Sequence, residues 1–186
     1  LIAPATLFPP PVTPSSPSAL FTRITMSTAD LTFFQFEADF VQSLRCIPMQ
    51  VRYKLDTCGV KLKLEHWHKF SDSDRERIVT HPCQTATEIT AYYDSLQALV
   101  TEYMGGPAKD LPIDAQPPWQ QLDQIPADVA AQAAQFDTAI ALDQWSALSP
   151  LQRFALCKLS RPGHENRNFL PALYEFGLKF AETAAV

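Results

Sequence analysis

Seven positions of this chain recur 78 residues further along with no gap between them. Leu62, Leu64, Trp67, Phe70, Ser71, Arg75 and Ile78 answer to Ile140, Leu142, Trp145, Leu148, Ser149, Arg153 and Leu156. The apolar spacing, the hydroxyl after the apolar residue and the arginine four positions on recur together, as a packing instruction used twice would require. Coincidence is the alternative for part of the match. Two copies are too few for an open solenoid, so the pattern predicts a mainly α, single compact helical domain with an internal duplication of a helix-turn-helix unit.

The rest of the composition sets the limits of that domain. At 186 residues and 46% apolar, the chain can build one globular core. Six of its 16 prolines lie in residues 1–17 and five in residues 107–126. We therefore expect a disordered extension over 1–30, a folded domain over 31–178 with a Pro-rich linker at 105–126, and a frayed tail over 179–186. Residues 1–25 hold no acid and one base, Arg23, and the first methionine is Met26. Either translation starts at Met26, or the stretch is an acid-poor, Ser-rich targeting peptide.

A formal charge of -5 and a pI of about 5.3, with dispersed bases, predict no affinity for nucleic acid. No window approaches about 20 apolar residues, so no membrane span is expected, and a cytoplasmic location is the default. Cys46, Cys58, Cys83 and Cys157 contain no C-x-x-C pair. They suggest a reducing compartment and partly buried thiols.

Local signals mark the helices. Thr32, Phe34 and Phe36 alternate, whereas Phe33, Phe36, Phe40 and Leu44 keep helical spacing; an extended lead-in and a helix over about 37–45 are expected. Pro48 suits a first helical position, Val51, Leu55 and Cys58 follow on one face, and Gly59 suits a left-handed cap. Residues 61–64 alternate and precede a short helix around Trp67. Ser71 with Asp74, Thr85 with Glu88, and Ser149 with Pro150 and Gln152 are helix starts. They predict a helix over about 72–80, a longer one ended by Gly105, Gly106 and Pro107, and one carrying Leu151, Phe154, Ala155 and Leu159. Pro126 opens an Ala-rich helix, and Asn168 is placed to cap a last helix running to Gly177.

Catalytic patterns are missing. His66 and His68 sit two apart and share no helix face; with His81 and Cys83 they still lack zinc-ligand spacing. Asp56, Asp72, Asp74 and Glu76 lack the closing glutamate of a calcium loop. No phosphate loop and no nucleophile elbow occurs. We expect no catalytic, cofactor or metal residues. A polar cluster draws more interest: Lys158, Arg161, His164, Glu165, Asn166, Arg167 and Asn168, broken by Pro162 and Gly163. It reads either as a solvated, self-capped loop or as a partner-binding loop whose Arg161 and Arg167 grip carboxylates in fork geometry. Glu165 paired with either arginine would instead staple the loop, worth about 0–1 kcal/mol if exposed. The second candidate surface spans 45–54, where Arg45, Arg52 and Lys54 bring positive charge and Met49 with Tyr53 an adaptable apolar patch. Ordinary helix packing is the alternative there.

The runs FQFEADFVQSLRCIPMQVRYKLDTCGVKLKLEHW, from Phe34 to Trp67, and LSPLQRFALCKLSRPGHENRNFLPALYEFG, from Leu148 to Gly177, resemble the nitrate reductase-associated protein family. Its cyanobacterial members are also called NarM. The resemblance covers about residues 33–178 and is weakest between the two runs. It implies a role in obtaining active assimilatory nitrate reductase, an enzyme carrying a molybdenum cofactor and an iron–sulfur cluster and fed by ferredoxin. It implies the nitrate reductase polypeptide as partner and carries no catalytic residues with it. The expected function is a non-catalytic accessory or maturation factor. The alternatives are a metal-, sulfur- or cofactor-handling protein using Cys46, Cys58 and Cys83, or a regulator of nitrogen assimilation.

Overall fold

The computed structural model describes residues 33–41 and 43–180, and the side chains of Phe40, His164 and Glu165 are not described. The expected extension over 1–30 and most of the expected tail lie outside those residues. The described chain is mainly α. After a 3-10 turn at Gln35–Glu37 come α1 (Ala38–Val41), α2 (Met49–Cys58), β1 (Val60–Lys61), α3 (Leu64–Lys69), α4 (Asp72–Thr80) and α5 (Ala86–Met104). Then follow β2 (Lys109–Asp110), a 3-10 turn at Pro118–Gln120, α6 (Ala127–Ala134), α7 (Leu142–Ala147), α8 (Pro150–Leu159), a 3-10 turn at His164–Asn168 and α9 (Phe169–Glu175).

Helix starts follow their caps. Ser71 Oγ accepts the Asp74 amide at 3.1 Å and Ser149 Oγ the Gln152 amide at 3.2 Å. At α5, Glu88 Oε2 accepts the amides of both Gln84 and Thr85 at 2.9 Å. These contacts satisfy amides that a helix start leaves without partners. Pro48 is the cap of α2, with extended backbone, and Met49 the first helical residue. The lead-in differs from expectation: the helix over about 37–45 is the turn plus the four-residue α1, and Leu44 has a φ of 45°. Asn168 makes no side-chain cap, because the backbone is already helical there.

A few backbone features match across the 78-residue interval. Pro48 and Pro126 both precede helices as caps, with ψ of 154° and 136°. Gly59 and Asp137, 78 apart, follow those helices with left-handed φ of 73° and 52°. At Gly59 a side chain would meet the Leu111 carbonyl oxygen and Ile113 Cγ1 at 2.8 Å, so only glycine fits. At Asp137 a short polar residue tolerates the same region. The two short helices α3 and α7 end at Phe70 and Leu148 with φ of -65° in each case. Trp67 and Trp145 are both fully buried, donating Nε1–H to backbone carbonyls of Leu44 at 2.6 Å and Gln121 at 2.9 Å.

Two cores result. Val51, Leu55, Val60, Trp67, Tyr92 and Leu96 belong to the first; Trp119, Val129, Trp145, Phe154, Phe169 and Leu173 belong to the second. The wall between them is α2. Its Val51, Leu55 and Cys58 face the first core, while Met49 and Tyr53, four apart on another face, pack on the second. The Pro-rich stretch at 105–126 is threaded through both halves. β2 pairs antiparallel with β1, Val60 opposite Asp110, and Trp119 packs edge-on against Phe154 with ring centroids 4.9 Å apart.

Candidate functional site

The two surfaces marked in the sequence prove unlike each other. Arg161 and Arg167 are exposed, and Asn166 Oδ1 accepts a hydrogen bond from Gln132 Nε2 at 2.8 Å, which ties that loop to α6. Asn168 is half-buried. The side chains of His164 and Glu165 lie outside the described residues. On the other surface Arg45 is exposed, its Nε donating to Ser43 Oγ at 3.2 Å. Arg52 is half-buried and donates Nε–H to the Ile47 carbonyl at 2.9 Å. The expected apolar patch needs correcting. Met49 is 3% exposed and part of the second core. Lys54 is also buried, and its ammonium donates to the Val79 and His81 carbonyls at 2.7 and 2.6 Å.

Against the second surface lies a groove of about 400 Å³, a size usual for ligand clefts, lined by Cys46 and Arg52 among others. Val60, Leu62 and Leu55 are buried beneath it, and Leu64, 47% exposed, stands at its edge. Arg52, Lys61 and Lys158 bring three positive charges to it against one carboxylate, Asp56. Lys158 Nζ lies 2.6 Å from Asp56 Oδ2 and so joins α8 to α2. Cys46 lines the same groove and is half-buried. The described side chains of the 161–168 loop do not line it. Sequence reasoning marked Arg52 and Lys158 but missed the groove, because its walls come from α2, β1 and α8.

Beside this region sits a carboxyl that no sequence pattern singles out. Glu37 is 2% exposed, and its oxygens accept the Met49 amide at 2.7 Å and the Phe34 amide at 3.4 Å. Glu175 treats the same lead-in alike, accepting the amides of Gln35 at 2.8 Å and Phe36 at 3.2 Å. Burial pushes the Glu37 carboxyl up from 4.5 to about 7, against the lowering effect of the Met49 and Phe34 amides and of Arg52. A carboxyl raised in this way holds its proton more tightly folded than unfolded. Stability should therefore fall as pH rises from about 4.5 to about 7, by up to about 3 kcal/mol, and this group should add no change above that range. Asp74, held low chiefly by its hydrogen bond from Ser71, acts only at more acid pH. Denaturation at several pH values should show the fall, and Glu37→Gln should flatten it. An equal fall in both proteins would refute the assignment.

The thiols divide sharply. Burial, then the neighbouring Cys83, pushes Cys58 up to about 12; burial pushes Cys83 and Cys157 up to about 11. All three stay protonated and poorly nucleophilic at neutral pH. Among the described residues no group of three or more His, Cys, Asp or Glu side chains could hold a metal ion, and no helix is long and apolar enough to cross a membrane.

Comparison with known families matches the chain to the family of conserved nitrate reductase-associated proteins, over residues 33–176. Neither the curated proteins nor the solved structures yield a match.

Proposed function

Because the chain belongs to the conserved nitrate reductase-associated protein family, we propose that it is a non-catalytic accessory factor. It binds the nitrate reductase polypeptide, at least transiently, and helps it reach or keep its cofactor-loaded state. The family match over most of the folded chain carries this reading. The chemistry of the surface agrees with it: a groove with an apolar floor and a positive surplus suits protein binding. Transfer of metal or sulfur through Cys58 and Cys83 draws no support from thiols held protonated by burial.

The test is to make the reductase with and without this chain. With it, the two should co-purify under native conditions, and the reductase should contain more molybdenum and iron and show more activity. The chain alone should not reduce nitrate. Reductase that is fully loaded and active without the chain would overturn the maturation role.

A further inference from the structure

We propose that the groove walled by α2, β1 and α8 is the docking site for a segment of the partner polypeptide that sets an apolar side chain beside one or more carboxylates. This rests on the preceding reading that the chain binds a polypeptide partner. The floor selects the apolar part. Leu64 at the edge is 47% exposed and Leu111 is half-buried, while Val60 and Leu55 close the floor at 1% and 5% exposed, so the accessible apolar surface for a docked side chain is offered chiefly by Leu64 and Leu111. The walls select the charge. The whole chain carries a formal charge of -5, yet this groove holds three cations and one acid. Asp56 balances Lys158. Lys61 is exposed and makes no ion pair among the described residues. A local positive surplus on an acidic protein steers an acidic segment to this place and repels a basic one.

The chain's own amino-terminal residues are a poor chemical match. Residues 1–32 contain a single carboxylate, Asp30, and a single guanidinium, Arg23.

Cys46 offers a reporter inside the groove, since it is half-buried while Cys58, Cys83 and Cys157 are 4%, 4% and 8% exposed. The experiment follows iodoacetamide alkylation at each cysteine by mass spectrometry, in the full chain alone and with added nitrate reductase polypeptide. Cys46 should react fastest in the free chain. At a partner concentration about ten times Kd its rate should drop about tenfold. Lys61→Glu should weaken the complex about tenfold and so cut that protection to about twofold at the same partner concentration, with less protection also at high salt. Leu64→Ser should weaken it too. Both side chains are exposed, so folding is preserved, and an unchanged Cys46 rate in the free variants checks this.

A complex that forms while Cys46 still reacts at its free rate overturns the docking site and leaves the accessory reading standing. Failure of the intact chain to bind reductase at all overturns both. A Cys46 that is already slow in the dilute free chain would mean that the chain covers its own groove. Slowing with the chain's own concentration would mean that a second copy occupies it. Either result overturns the proposal, as does protection that survives Lys61→Glu undiminished.

Discussion

Trp145→Ala is expected to cost about 3–5 kcal/mol of stability, measured by urea denaturation. The indole is fully buried in the second core, and its Nε1–H holds the Gln121 carbonyl at 2.9 Å. Truncation removes the largest side chain from a packed site and leaves that carbonyl without its donor. Trp67→Ala should lose a similar amount, because Trp67 is equally buried and holds the Leu44 carbonyl in the same way. A loss below about 1 kcal/mol at either site would show that the core collapses around the gap, and would contradict the packing described.

The paired arginines should respond unequally. Arg153 is 5% exposed and donates Nε–H to the Trp119 carbonyl at 2.7 Å and Nη1–H to the Leu148 carbonyl. Arg153→Met fills much of the same space but strands both acceptors, so about 2–4 kcal/mol should be lost. Arg75 stands 78 residues earlier and makes kindred bonds, to the Trp67 and His68 carbonyls at 3.0 and 3.2 Å. Its bond to His68 is exposed, and it also pairs with Asp72, whose side chain is 87% exposed. Water can replace such partners, and Arg75→Met should cost about 1 kcal/mol. Equal losses in the two variants would mean that burial does not set the difference.

The parts of the fold that were legible in the sequence are those fixed by neighbours in the chain. Thr85 with Glu88 and Ser71 with the helix after it announce their own geometry, and α4 and α5 begin directly after those caps. Gly59 announces a left-handed residue, and its φ is 73°. Met49 could not be placed, because α2 is apolar on two faces and periodicity does not tell which core claims which. Trp119 gave little warning, standing alone among prolines. Glu37 was beyond reach, since its burial depends on α2 and on a lead-in that Glu175 holds from the far end of the chain. The groove was half legible: composition marked the cations at 45–54 and Lys158, while the apolar floor appears only when β1 lies beside α2.

The stretch at 105–126 bears on how the molecule comes apart. Its first portion completes a ladder in one half, through Val60 and Asp110, and its later portion seats Trp119 in the other. Arg153 then grips the Trp119 carbonyl from α8. Opening either half pulls a strand or an indole out of the other, so neither core has a complete set of contacts by itself. The two halves are therefore expected to unfold in one cooperative transition, with coincident loss of both cores in denaturation, and the prolines stiffen the crossing that couples them.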